Sequence, residues 1–239
     1  MTEKNTEAFS PLILCLETAT TNCSVALFRG DVLLGSRESN QGGFSHAEKL
    51  HVFIRETLEM AGVSPRSLDC IAVSRGPGSY TGLRIGVSAA KGLAYALGVP
   101  LVSVGTLEIM ARGVLEQTGA SYLVPMLDAR RMEVYTAVYD RNIRQTRPVS
   151  ALVMQPDSFS DWAARGDSVC FFGDGMDKCR PLLDAPGFSF LEGVFPSAVA
   201  MGRDALERYR EQHWEDVAYF EPYYLKDFVG TPPASGPKR

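Results

Sequence analysis

"SRGPGSYTGLRIG", Ser74 to Gly86, sets Gly76, Pro77, Gly78 and Gly82 between a short apolar run and a long stretch of small residues. A glycine loop ahead of a helix can cradle phosphate, so the known phosphate loops are the first comparison. A P-loop needs G-x-x-x-x-G-K-[ST], whose backbone amides and lysine surround the phosphates. Here Gly78 and Gly82 enclose three residues, and Leu83-Arg84 follow. A dinucleotide fingerprint needs a third glycine where Thr81 stands and an acid about 20 residues further on; the first acid is Glu108. A G-x-S-x-G elbow needs serine where Tyr80 stands. The loop fits none of these chemistries.

What the stretch does support is close approach. Mid-helix glycines cost about 1 kcal/mol each against alanine, so several together imply that something packs against bare backbone. On a helical wheel Arg84, Lys91 and Tyr95 fall within roughly 40° of one another, amid Gly82, Ile85, Gly86, Ser88, Ala89, Ala90, Gly92, Ala94 and Ala96. Two meanings remain open: a helix seated tightly on its own sheet, or one that also docks a partner helix.

Outward from the loop, "CIAVSRG" reads as a buried strand, Gly82–Leu97 as a helix ending at "GVP", and "LVSV" as the next strand. Thr106 is placed to cap a helix running to about Gln117. Upstream, Leu12–Leu16, Ser24–Phe28 and Val32–Leu34 are strands with hairpin punctuation. Leu50, Phe53, Ile54, Thr57, Leu58 and Ala61 recur at helical spacing over 46–61, with Ser45 as cap and Gly62 as stop. Downstream the order restarts: "YLVPMLDAR", "MEVYTAVYD" and "RPVSALVM" as strands, Ser158–Ala164 as a helix, "SVCFFG" as a strand, and Ser197–Arg210 as a helix. Strands then helices, twice over, predict an α/β protein of two lobes meeting near residues 105–120.

Bulk properties narrow the function classes. The 239 residues carry a net charge of −4, which argues against a protein devoted to gripping a polyanion. Five cysteines, odd in number and without C-x-x-C spacing, read as reduced thiols. The first eleven residues contain no apolar signal core, and no run approaches the ~20 apolar residues of a membrane span; a cytoplasmic protein is expected. The histidines are His46, His51 and His213; His46 and His51 lie about 140° apart on a helix, so they cannot share a metal on one face, and both read as surface or boundary residues.

Taken together, "LETATTNCSVAL", "VSRGPGSYTGLRIGVSAAKGLAYALGVPLVSVGTLE", "LDARRMEVYTAVY", "GDG" at Gly173–Gly175 and "EPYYLKD" resemble the bacterial tRNA threonylcarbamoyladenosine biosynthesis family TsaB, also called YeaZ. The resemblance spans about Leu12 to Val229. It implies the actin/hexokinase-like ATPase (ASKHA) fold with two RNase H-like lobes, 12–105 and 106–229, a disordered start over 1–11 and a flexible tail over 230–239. It implies docking on TsaD, a catalytic paralogue that transfers threonylcarbamoyl to N6 of adenosine 37 in tRNAs reading ANN codons. That paralogue carries a metal-binding H-x-x-x-H after the strand equivalent to "LVSVG". Thr106 and Met110 stand at those positions, and neither hydroxyl nor thioether replaces imidazole at a hard or borderline cation. The expected role is therefore a non-catalytic activating subunit, with no metal and no catalytic residues.

The resemblance places the partner interface on the first two helices: Lys49, Val52, Phe53, Glu56 and Met60, with Arg84, Ser88, Lys91, Gly92 and Tyr95. The same surface would form a homodimer when the partner is missing. The motif loop is Arg75, Gly76, Pro77, Gly78, Ser79, Thr81 and Gly82; Glu17 and Thr18 mark a vestigial nucleotide region. No cofactor of its own is expected, ATP or ADP at the partner junction being left open. A TsaE-like ATPase and, indirectly, tRNA are further expected partners. Three residues depart from the family pattern: Glu17 where aspartate is common, Met132 where glycine is usual, and Lys226 for arginine. Arg130, Arg131, Arg141, Arg144 and Arg147 cluster around one hairpin and could meet tRNA or simply face solvent. An independent ATPase or small-molecule kinase of the same fold is the alternative. A glycoprotease-type metallopeptidase finds no ligand constellation.

Overall fold

The computed structural model describes residues 10–40 and 46–226. The expected cap Ser45, the first nine residues of the 1–11 segment and the 230–239 tail lie outside them.

The first sheet grows around β1 (Leu12–Glu17), whose six residues are all buried. It pairs antiparallel with β2 (Cys23–Arg29), and β2 with β3 (Val32–Ser39). On its other side β1 pairs parallel with β4 (Cys70–Gly76), and β4 with β5 (Leu101–Gly105). Alternation along β1 then builds two cores. Leu12, Leu14 and Leu16 meet Leu50, Ile54 and Leu58 of α1 (His46–Met60) and Val87, Ala90 and Ala94 of α2 (Tyr80–Leu97). Ile13 and Cys15 point the other way, toward Ala198, Met201 and Ala205 of α6 (Ala198–Arg210).

The second sheet repeats this plan. β6 (Tyr122–Asp128) pairs antiparallel with β7 (Glu133–Asp140), which pairs with β8 (Gln145–Val153). On its far side β6 pairs parallel with β9 (Val169–Phe172), and β9 with β10 (Phe188–Leu191). Both sheets thus have the order 3-2-1-4-5 counted within the lobe, the duplicated RNase H-like plan of the actin/hexokinase-like fold. Between the lobes lies α3 (Thr106–Gly113): Ile109 packs on the first sheet, while Leu107, Met110 and Ala111 pack on the second. The short α4 (Ser160–Arg165) and α5 (Met176–Cys179) cover the far face of the second sheet with Trp162 and Met176.

Several expectations are corrected. α6 falls within 106–229 but packs on the first sheet, because its Ala198–Met201–Ala205 stripe complements Ile13 and Phe28. Ion pairs tie it to α3: Arg112 to Asp204 at 2.5 and 3.2 Å, and Arg208 to Glu108 at 2.8 and 2.9 Å. α2 begins at Tyr80, since Ser79 accepts from the Gly82 N–H and caps it. Thr106 is the first residue of α3 rather than its cap, which is Gly105. α3 stops at Gly113, where the Arg141 guanidinium gathers the carbonyls of Leu115, Thr118 and Ala120. β3 runs to Ser39, α4 begins at Ser160, and β10 was not expected at all. His46 is buried, its Nε2 2.7 Å from the Thr20 carbonyl oxygen; His51 and His213 are exposed. All five cysteines are buried free thiols.

Candidate functional site

The glycine loop is occupied by the chain's own backbone. After β1 the chain turns through Thr18 and Ala19, and this turn lies in the loop and on the start of α2. The Ser79 N–H donates to the Ala19 carbonyl at 2.7 Å, and the Thr18 hydroxyl donates to the Gly82 carbonyl at 2.8 Å. A Cβ at Gly78 would fall 2.3 Å from the Ala19 oxygen; at Gly82, 2.1 Å from the Thr18 oxygen; at Gly86, 2.2 Å from the Thr18 hydroxyl. None of these separations is one a real Cβ tolerates, so the spacing four apart lets a helix meet a turn. Gly92, two turns further along, has nothing within 4 Å of an added Cβ. One end of α2 is therefore sealed by its own lobe, and the other end presents bare backbone outward.

Glu17 closes β1 beneath that turn. It is wholly buried, and its Oε1 accepts from the Ala19 N–H at 2.6 Å and the Ser74 hydroxyl at 2.8 Å, while Oε2 meets no partner. Burial pushes its carboxyl up to about 7, against those hydrogen bonds, which favour the ionised form. Thr18 is likewise buried. Thr106 is buried with its hydroxyl unpaired, and Met110 lies in the core of the second lobe. Among the described residues no group of three His, Cys, Asp or Glu side chains is placed to hold a metal ion.

The expected interface residues divide into two sets. Val52 (38% exposed), Met60 (50%) and Tyr95 (83%) stand out from the two helices, and Ser88 and Gly92 are open beside Tyr95. The others have partners within the chain. Lys49 donates to the Ser39 hydroxyl and Glu56 pairs with Arg37, both on β3. Phe53 is half-buried against the first core. Arg84 lies over the Tyr80 ring at 4.4 Å, and that ring meets Tyr224 at 4.9 Å. Lys91 donates to the Phe220 carbonyl at 2.8 Å and to Ala218 at 3.3 Å.

Those last contacts expose what the sequence reading missed. Residues 214–224 form a strap from α6 across β5 and α2 to the motif loop. The Glu215 N–H donates to the Leu101 carbonyl, Ser103 donates to Glu215, and the Tyr223 N–H donates to the Arg75 carbonyl. The strap exposes Trp214, Tyr219 and Tyr223; the "EPYYLKD" motif marks its end in the sequence, but nothing there shows its path across β5 and α2. Lys226 then pairs with Glu133 of β7, so the residue replacing arginine bonds within the chain. The arginine cluster is likewise not one patch: Arg141 caps the end of α3, and Arg147 lies over the Trp162 and Phe159 rings. Arg130 and Arg131 hold the β6–β7 turn with positive φ, beside half-exposed Met132.

A family model described as "TsaD: tRNA N6-adenosine threonylcarbamoyltransferase" matches residues 39–209. The tRNA threonylcarbamoyladenosine biosynthesis protein TsaB of Escherichia coli (strain K12) is 31% identical over 224 residues, 91% of this chain and 95% of that protein. The chain belongs to the TsaB family. TsaB of Haemophilus influenzae is 29% identical over 227 residues, covering 91% of this chain and 94% of its own. Among solved structures, an uncharacterized protein with similarity to peptidase YEAZ from Pseudomonas aeruginosa superposes with TM-score 0.79 at 28% identity, over 90% of this chain and 100% of that one. The word peptidase belongs to that protein's description. The TsaD match begins after β1 and ends at Tyr209, so Glu17 and the strap lie outside it.

Proposed function

We propose that this chain acts in tRNA threonylcarbamoyladenosine biosynthesis as a non-catalytic activating subunit, docking on a TsaD-like catalytic subunit. One observation carries the reading. The loop and helix terminus that could hold phosphate are filled by Thr18 and Ala19, while the outer end of the same helix presents Gly92 and Tyr95 to solvent. A sealed Glu17 cannot reach a metal-bound nucleotide from its present position, which weighs against an independent ATPase. Thr106 and Met110, buried and unsuited to a hard cation, weigh against a metallopeptidase.

In this reading Val52, Met60, Ser88, Gly92 and Tyr95 form the centre of the docking face. Lys49, Glu56, Arg84 and Lys91 hold its rim in place through their own contacts. The chain brings no cofactor of its own; ATP or ADP would sit at the partner junction. The TsaE-like ATPase and tRNA are engaged through the complex, and without its partner the chain pairs with a second copy.

Reconstitution tests the reading. Catalytic subunit, threonylcarbamoyl-adenylate and tRNA are combined with and without this chain, and modified adenosine is measured. Activity should depend on the chain and be lost with Tyr95→Glu, a change at a side chain too exposed to affect folding. Full activity without the chain, or co-elution of the Tyr95→Glu variant with its partner as tightly as wild type, refutes the proposal.

A further inference from the structure

Away from the docking helices and from Glu17, a cavity of about 170 Å³ opens at the junction of the lobes. Arg75 and Pro77 close one side, Leu107 and Glu108 of α3 the floor, and Tyr139 and Gln145 of the β7–β8 hairpin the roof. Neither Thr18 nor Glu17 lines it.

Its polar groups are unevenly satisfied. Glu108 is neutralised by Arg208, which donates to both carboxylate oxygens. Arg75 is exposed at the cavity mouth, and its guanidinium makes no hydrogen bond or ion pair with any described residue; only its backbone carbonyl is engaged, by Tyr223. Tyr139 is 5% exposed, yet nothing in the described protein pairs with its hydroxyl. Burial, with Glu108 nearby, raises the pKa of that phenol well above its ordinary value, so it is a neutral donor at every physiological pH. Gln145 is exposed at the rim, and Ile143, Val149 and the Tyr223 ring supply the apolar wall. Water alone satisfies such groups, and the space suits about five molecules at roughly 30 Å³ each. An anion at the mouth would exchange those water contacts for charge-assisted hydrogen bonds from Arg75, with the nearly buried Tyr139 phenol as a second donor deeper in the cavity.

We propose that this junction cavity is a binding site for a compact monocarboxylate with a short apolar body, its oxygens taken by the Arg75 fork and the Tyr139 hydroxyl. A planar carboxylate matches the guanidinium fork with two parallel hydrogen bonds. The volume matches a single six-membered ring, since an apolar cavity of about 150 Å³ holds benzene. The inference does not depend on the scaffold reading, and its test requires no partner.

The probe is benzoate, titrated into the full chain and followed by backbone amide chemical shifts at 105–108 and 143–149. Benzyl alcohol is the neutral isostere and inorganic phosphate the alternative anion. Benzoate should saturate a single site and shift both segments. Arg75→Gln should weaken it about tenfold or more, and Tyr139→Phe about three- to tenfold. Tyr139→Phe should leave the unfolding midpoint unchanged or raised, because the lost hydroxyl had no protein partner. Equal affinity for benzyl alcohol, undiminished binding to Arg75→Gln, saturation by phosphate in place of benzoate, or no saturable shift with any probe each overturns the proposal, the last leaving a water-filled cavity.

Discussion

Replacing Glu17 by glutamine should make the protein more stable, by an amount that grows with pH. In the unfolded chain this carboxyl titrates near its ordinary 4.5; in the folded protein burial raises it to about 7. Below pH 4.5 both states hold the proton and burial carries no ionic penalty. As pH rises toward 7 the unfolded state releases its proton while the folded state keeps it, so stability falls. Above 7 the penalty is constant. The gap between the two values corresponds to about 3 kcal/mol at full development, or roughly 6–12 °C in the unfolding midpoint of a chain this size. Glutamine keeps the oxygen that accepts from Ala19 and Ser74 and sets a neutral amide where Oε2 is unpaired, as the protonated acid does. Cys23, which senses Glu17, has a thiol that burial raises to about 11, so it stays neutral throughout this range. His46 and other groups titrate alike in both proteins and cancel in the difference. Urea unfolding of wild type and variant at about pH 5, 6 and 8 measures it. A stability difference flat across that range, or one narrowing as pH rises, refutes the claim that a buried, half-satisfied carboxylate lies under the Thr18 turn.

The glycines of α2 should divide by the same geometry. Gly82→Ala drives a Cβ against the Thr18 carbonyl and should lower stability by about 1–3 kcal/mol or more. Gly92→Ala meets open space and should raise it by about 1 kcal/mol, while weakening partner binding if that face is docked; denaturant midpoints and co-elution measure the two effects. Asp204→Ala strands Arg112 between α3 and α6, with only 16% of its side chain exposed, and should cost about 3–5 kcal/mol in thermal unfolding. Lys91→Ala removes both hydrogen bonds to the strap; limited proteolysis should then cut within 214–224 faster than in wild type, with the midpoint little changed.

The duplicated plan was legible because each lobe begins with strands whose apolar runs are cleanly punctuated. β1 is buried along its whole length, and α1 presents Leu50, Ile54 and Leu58 at helical spacing. The placement of α6 was not legible: an Ala–Met–Ala stripe fits either sheet, and only the shapes of Ile13 and Phe28 decide. The motif glycines announced close approach but not what approaches, since a two-residue turn sixty positions upstream leaves no mark beside them. The exposure of the expected interface residues was half legible. Val52 and Tyr95 stand exposed, whereas the partners of Lys49, Glu56 and Lys91 come from β3 and the strap, elements distant in sequence. β10 escaped because four residues, "FSFL", carry too little alternation to outweigh the Gly187 before them. The Arg75 cavity escaped for a similar reason, since its walls come from both lobes.

The motif loop, the strap and α3 bear on one physical question: what this architecture needs in order to work by moving. Lobes that close over a ligand need a hinge and a junction able to reopen. Here the junction is tied from several directions. α3 buries side chains in both sheets, two ion pairs join it to α6, and the strap runs from α6 past Arg75 to Lys226 on Glu133 of the second sheet. The motif loop itself is clamped between the Thr18 turn on one side and the Tyr223 carbonyl, which a Cβ at Gly76 would meet at 2.8 Å, on the other. Opening the lobes would pull α3 away from one of the two sheets it packs on, and Gly78, Ser79 and Gly82, covered by the Thr18 turn, offer a ligand no contact that would offset that loss. The same clamps fix the start of α2, and with it the direction in which Tyr95 and Gly92 are presented. In the scaffold role proposed above, that rigidity would supply a preorganised surface that loses little conformational freedom when a partner covers it.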